Sequence, residues 1–275
     1  MGLWRAFRQI SGLFTVPADG LARRVLWQLA CIRYRYPGLR LLSVFLGKPG
    51  PARDVVVGLR VKGRLLRLQF DPSDSGDVAS VFENFIELPL PEKYMQNIHH
   101  AVCLGGHIGT FALALLARNP DCRVVIFEPN ARNRDFLLRN LQLNGFRAEV
   151  RPEAVWIKAG KVRFLTRESN AGKILTAESD SDENAITVEA VDVRQLDDKL
   201  LSQVQFVEMD IEGAEWEILP LLLPKLSPGC IVYFEAHHVD QHWHELVTLR
   251  NTHPCQSWSL GRIGSHELRV IRILK

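Results

Sequence analysis

From residue 99 onward the chain alternates short, nearly uninterrupted apolar runs with longer segments whose apolar residues recur at helical spacing. Runs without a polar face suit strands buried on both sides, the condition of a parallel sheet covered by helices. Strands are predicted at about 100–105, 123–128, 147–151, 204–210 and 230–236, with a terminal pair near 255–260 and 267–273. Helices fill the intervals, giving an α/β, mostly parallel, doubly wound sheet. The stretch 161–191 breaks this rhythm: the β-prone pieces VRFLT and ITVEAV flank the polar run ESDSDEN, which predicts a hairpin excursion beside the sheet.

The first 97 residues follow other patterns. In VVVGLRVKGRLLRLQF, residues 55–70, apolar positions alternate roughly on both sides of Lys62-Gly63, so a β-hairpin is predicted with its turn at that pair. Residues 76–92, with Val78, Phe82 and Phe85, can form a helix that stops near Pro89 and Pro91. Leu3, Phe7, Ile10 and Phe14 recur at helical spacing around Arg5 and Arg8, and a second helix is predicted over 18–34 before Pro37 and Gly38. Two parts result: an accessory region of helices and a hairpin, 1–97, and an α/β domain, 98–275.

Charge sharpens that division. The net charge is +3, yet residues 1–67 carry 13 Lys and Arg against Asp19 and Asp54 alone, a net +11 that leaves −8 on the remainder. A basic arm precedes an acidic body; it can pack on that body or meet an anionic partner such as a membrane surface. The Met-Gly start departs from the myristoylation pattern at Ala6. No apolar run reaches the roughly 18 residues that cross a bilayer. Five scattered cysteines (Cys31, Cys103, Cys122, Cys230, Cys255) without a C-x-x-C pair read as reduced, buried thiols, so a cytoplasmic location is expected, with peripheral membrane contact through the basic N-terminus as the variant.

Candidate chemistry begins in HAVCLGGHIGTF, residues 100–111, a strand running into a glycine-rich turn that opens a helix. Unpaired N–H groups and the dipole make such a helix start an anion site. The spacing G-G-x-x-G at Gly105, Gly106 and Gly109 fits neither the dinucleotide fingerprint nor the phosphate loop of nucleotide hydrolases. The next strand, RVVIFEPN, ends on Glu128, about 20 residues beyond the turn, where an acid can accept both ribose hydroxyls of an adenosine cofactor. Pro129 and Asn130 start the following helix, with Arg134, Arg139 and Asn140 facing or flanking the acid.

VCLGGHIGTFALALLA, VVIFEPNARNRDFLLRNLQLNGF, FVEMDIEGAEWEIL and IVYFEAHH together resemble the FkbM family of S-adenosylmethionine-dependent methyltransferases over residues 98–238. The resemblance implies a Rossmann-like class I methyltransferase fold with an antiparallel last strand, S-adenosylmethionine as cofactor, and O-methylation of a hydroxyl on a sugar or secondary metabolite. Its cofactor loop would comprise Cys103, Gly105, Gly106, His107 and Gly109, followed by Glu128, Pro129 and Asn130. Several positions depart from the family. Cys103 stands where relatives commonly have Asp, His107 where they have Asn, Glu208 where they have Lys, and Trp156 and Ile157 where small or acidic residues approach the adenine. Trp156 is either a stacking partner of the base or a core aromatic.

In FVEMDIEGAEWEIL, Asp210 ends a strand, and Glu212 and Glu215 open a helix, with Glu217 one step beyond. Ligands of open α/β sheets lie beyond the carboxyl ends of the strands, so these acids belong to the crevice of Glu128. Methyl transfer to a hydroxyl needs positioning and a base. Asp210 is the first candidate for base or acceptor orientation, Glu212 the second and His237 a third; Glu215 and Glu235 are expected at the substrate. His237, His238, His242 and His244 crowd together, but their order matches no zinc motif, and no metal is expected. The partner expected is a small-molecule or glycan hydroxyl rather than nucleic acid. The competing reading is a degenerate, non-catalytic cofactor-binding or interaction protein of the same fold. An NAD-linked oxidoreductase is disfavoured by the glycine spacing.

Overall fold

The computed structural model describes residues 55–71, 74–85, 91–166, 172–175, 184–263 and 266–274. The helices expected over the first 38 residues and most of the ESDSDEN run lie outside them. Seven strands form the main sheet. In chain order these are β3 (His100–Leu104), β4 (Arg123–Phe127), β5 (Glu149–Arg151), β10 (Phe206–Met209), β11 (Ile231–Ala236), β12 (Cys255–Ile263) and β13 (His266–Ile273). Across the sheet their order is β12-β13-β11-β10-β3-β4-β5. The run β11-β10-β3-β4-β5 is parallel, and β13 pairs antiparallel with both β11 and β12, as expected for the last strands.

The alternation of side chains along these strands divides the core. Ala101, Cys103, Phe206, Ile231 and Tyr233 pack on one face, and Val102, Leu104, Val207, Met209, Val232 and Phe234 on the other. All lie at or below 8% exposure, which is why the strand sequences read as continuous apolar runs. The first face is covered by α2 (Thr110–Arg118), the second by α4 (Glu215–Leu222). No described helix is long and apolar enough to cross a membrane.

The accessory hairpin forms as the alternation predicts. β1 (Val55–Val61) and β2 (Arg64–Phe70) pair antiparallel, and the turn residues Lys62 and Gly63 both have positive φ, 50° and 79°. That geometry matches the right-handed twist of the strands. Leu66, Leu68 and Phe70 are fully buried in the same core as β3 and α2.

The free edge of β2 is covered from α3 (Ala131–Leu143) and the residue that caps it. Asn140 accepts from the Gln69 amide (2.6 Å) and donates to the Gln69 and Ile108 carbonyls (2.9 Å each), and Asn144 repeats the exchange with Arg67 (2.8 and 2.6 Å). Four helical residues rise about 6 Å and two strand residues about 6.7 Å, so two asparagines four apart meet two peptide groups two apart. Asn140 therefore serves the hairpin rather than flanking Glu128, and Arg139 lies over the Phe136 ring.

The excursion after β5 is larger than a hairpin. β6 (Ala154–Trp156), β7 (Gly160–Leu165), β8 (Lys173–Leu175) and β9 (Ala185–Asp192) make a separate sheet in the order β6-β9-β7-β8. β6 runs parallel to β9; Ala154 joins a small core with Phe164, Val188 and Ala190, whereas Val155 packs into the main core. Trp156 is partly buried between this core and the main one, the packing role left open by the sequence.

Candidate active site

The carboxyl ends of β3, β4, β5 and β10 converge on a crevice of about 660 Å³, counting the part open to solvent. Its lining includes Gly105, His107, Glu128, Glu153, Asp210 and Ile211. Pro129 lines it as well, whereas Cys103, Gly106, Gly109 and Asn130 do not.

The glycine turn is dictated by packing. Gly105 and Gly106 both donate to the Phe127 carbonyl at 3.0 Å, which ties the turn to the end of β4. Gly105 has φ 91°, and a Cβ there would lie 2.0 Å from the Asp210 carbonyl oxygen. Only glycine lets β3 and β10 end this close together. Gly109 is the N-terminal boundary residue of α2.

Glu128 is 4% exposed and held at both oxygens by backbone, Oε2 by the His107 amide (2.7 Å) and Oε1 by the Asn130 amide (2.9 Å). Burial pushes its carboxyl up, and these amides and the charges of His107 and Arg134 act against that rise. Each oxygen keeps a further lone pair for a ligand hydroxyl. Asn130 also caps α3 by accepting from the Arg132 amide, and Arg134 donates to the Glu128 and Pro129 carbonyls, so this strand end is fixed before any ligand arrives.

The loop is braced from outside the region of the family resemblance. Asp77, in α1 (Ser75–Phe85), is fully buried and meets the Arg132 guanidinium twice (2.6 and 2.8 Å), His107 Nε2 at 3.2 Å and the Asp71 amide at 2.8 Å. Burial alone would raise its carboxyl, but the hydrogen bonds from His107, Arg132 and Asp71 bring it down to about 2. A folded-state value below the ordinary 3.8 stabilises the fold above about pH 4, and this contribution is lost as pH falls through 2. Asp77→Asn is therefore expected to cost about 2 kcal/mol at pH 7. In urea titrations its deficit against wild type should shrink as pH falls from 4 towards 2; a deficit independent of pH would remove the carboxylate from the brace.

Cys103 is 1% exposed and does not line the crevice. It sits directly across from Glu208 of β10. Burial, the main cause, raises both well above their ordinary values and favours two neutral groups. Glu208, like Cys103, lies outside the lining of the crevice.

The acids after β10 separate into different environments. Asp210 Oδ1 is buried without a hydrogen-bond partner, and its carboxyl is raised by burial first and by Glu235 and Glu212 next. Glu212 has a positive φ of 54° and places Oε2 3.2 Å from His237 Nε2. Glu215, expected at the substrate, is turned inward and fully buried: it accepts from the Gly213 amide (2.8 Å) and the His237 amide (2.6 Å) and lies 3.0 Å from His237 Nδ1. Glu217 is exposed.

His237 is 2% exposed. Burial would lower it, but Glu212 and Glu215 outweigh that and raise it to about 11. Glu235 Oε1 is 3.9 Å from His237 Nε2 and 2.7 Å from His266 Nδ1. The neighbouring histidines do not converge: His242 stacks on Trp216, and His244 is exposed. The histidine that does join His237 is His266, at 4.4 Å between ring centres, because β11 and β13 pair Ala236 with Glu267.

The profile of the methyltransferase FkbM domain matches residues 104–252, more than half of the chain. The chain belongs to the FkbM methyltransferase family. Among curated protein sequences none matches it. Its fold is similar to those of solved methyltransferases at low identity. A SAM-dependent methyltransferase from Agrobacterium tumefaciens has TM-score 0.48 and 14% identity, over 83% of this chain and 72% of that one. The structures of M. jannaschii TYW2, in complex with AdoMet, and M. jannaschii tRNA m1G37 methyltransferase have TM-scores 0.45 and 0.46 and identities 14% and 12%. They cover 82% and 83% of this chain and 86% and 59% of theirs. The chain spans between 44% and 87% of the length of the solved structures it resembles.

Like other FkbM methyltransferases it uses S-adenosylmethionine, and the crevice fits that cofactor. Glu128 offers two preset oxygens, and two buried carboxylate oxygens without partners, Glu153 Oε2 and Asp210 Oδ1, belong to residues of the lining. Glu153 was not singled out from the sequence. It follows β5 as Glu128 follows β4, so an acid just past the end of the third parallel strand was the available sign. Asp77 carried none, because its side-chain partners His107 and Arg132 are 30 and 55 residues away.

Proposed function

We propose that this FkbM methyltransferase moves the methyl group of S-adenosylmethionine to a hydroxyl oxygen of a sugar or secondary metabolite. Residues 98–275 would form the catalytic domain, and 1–97 an accessory region whose hairpin and α1 brace the cofactor loop. The cofactor supplies a sulfonium-bound methyl group that is open to in-line displacement. Glu128 would hold the ribose hydroxyls, and His107 and Pro129 would close the loop against it. Asp210, backed by Glu212, would orient the acceptor hydroxyl and take its proton. His237, locked by Glu215, would fix Glu212 in place, and Glu235 would bound the acceptor side.

One observation carries this reading: Asp210 places a buried carboxylate oxygen without a partner in the lining that also holds Glu128. A hydroxyl acceptor requires a group that can receive a proton beside the methyl donor, and a water-poor site strengthens such a group. The test is transfer of labelled methyl from S-adenosylmethionine to a panel of sugars, glycosides and hydroxylated metabolites, with tRNA and rRNA included because solved neighbours act on them. Label on a hydroxylated small molecule supports the reading, and label on RNA alone overturns it. Cofactor binding without transfer to any acceptor favours the non-catalytic alternative.

A further inference from the structure

We propose that Asp210, Glu212 and His237 form a site for a divalent cation such as Mn²⁺ or Mg²⁺ at the edge of the cofactor crevice, an inference that rests on the hydroxyl-transfer reading above. Their donor atoms all lie within 4.8 Å of one another. Two ligands at about 2.0–2.3 Å from one ion lie roughly 3 to 4.5 Å apart, so only a small contraction is needed. His237 Nε2 and Glu212 Oε2 already stand at 3.2 Å, and Glu235 Oε1 is 3.9 Å from the same nitrogen.

Two further features point to a ligand rather than to a self-contained ion pair. Asp210 Oδ1 is buried and has no hydrogen-bond partner, although its residue lines the crevice. His237 is held from behind as a ligating histidine is held: the fully buried Glu215 engages its Nδ1 and its amide. A carboxylate on the far nitrogen fixes the ring and leaves Nε2 as the donor. The carboxylates outnumber the imidazoles as well, since Asp210, Glu212, Glu215 and Glu235 share only His237 and His266. Oxygen donors dominate and no thiol takes part, which favours Mn²⁺ or Mg²⁺ over a tetrahedral zinc site. Sequence spacing does not show the set, because two donors follow β10 and the third follows β11.

The full chain, stripped with EDTA and dialysed, is titrated with MnCl₂ and followed by electron paramagnetic resonance. One equivalent of Mn²⁺ is expected to bind, with nitrogen coupling from a single histidine, and Mg²⁺ should displace it. Glu212→Gln, at a partly exposed donor, should weaken binding about tenfold or more. No bound Mn²⁺, bound Mn²⁺ without nitrogen coupling, or unchanged affinity in a folded Glu212→Gln protein each overturns the site. The nitrogen coupling is read on wild type, so it decides the matter even if the variant fails to fold. Methyl transfer to a hydroxyl in EDTA without Mn²⁺ binding sinks the cation site alone, whereas Mn²⁺ binding without transfer to any hydroxyl sinks the acceptor reading alone.

Discussion

Glu128→Ala is expected to weaken S-adenosylmethionine binding by about 3 kcal/mol, on the order of a hundredfold, measured by calorimetry. The wild-type carboxylate is held before the ligand arrives: the His107 and Asn130 amides fix both oxygens, and the residue is 4% exposed. Hydrogen bonds from two ribose hydroxyls to a preset, charged acceptor each contribute about 1.5–3 kcal/mol. Alanine removes both and strands two amide donors at the strand end. Glu128→Gln separates these effects, since its one carbonyl oxygen can keep part of the ligand contact while its NH₂ faces an amide donor. It should fall between alanine and wild type. Unchanged affinity in the alanine variant would take Glu128 out of the site.

The parts legible in the sequence share one physical origin. Strands buried on both faces leave uninterrupted apolar runs, and an acid that ends such a run stands out; Glu128 after RVVIF and Asp210 after FVEM are cases of this. The antiparallel edge was implied by the family resemblance, and the pairing of β13 with β11 and β12 agrees. Residues joined through sheet register were not legible. His266 reaches His237 only because Ala236 pairs with Glu267, while the conspicuous His242 and His244 lie elsewhere and His238 meets the edge of the His266 ring. Glu215 looked like a substrate contact because it opens a helix beside Asp210, yet one turn of chain rotates it into the interior against His237. In sequence the small sheet β6–β9 looks like a hairpin because Ala154–Trp156 is only three residues long and pairs with residues 36 further on.

Asp210→Asn is expected to lower turnover by about 10²–10⁴-fold while cofactor affinity changes little. The amide keeps the size of the side chain but can neither take a proton nor give a cation a charged oxygen, so transfer suffers under either role. Stability should move the other way. The wild-type carboxyl is raised by burial and by Glu235 and Glu212, which means that its charged form is opposed where it stands. A neutral amide relieves that opposition, so the variant should unfold at the same or higher urea concentration than wild type. Loss of activity together with retained or increased stability is the mark of a group kept against the interests of the fold. A variant with full turnover would refute any part for Asp210 in methyl transfer, and one that lost stability in step with activity would make it a structural residue. Comparison with Glu212→Gln then apportions the chemistry: if Mn²⁺ binding falls in both but only Asp210→Asn stays inactive at saturating Mn²⁺, proton removal belongs to Asp210.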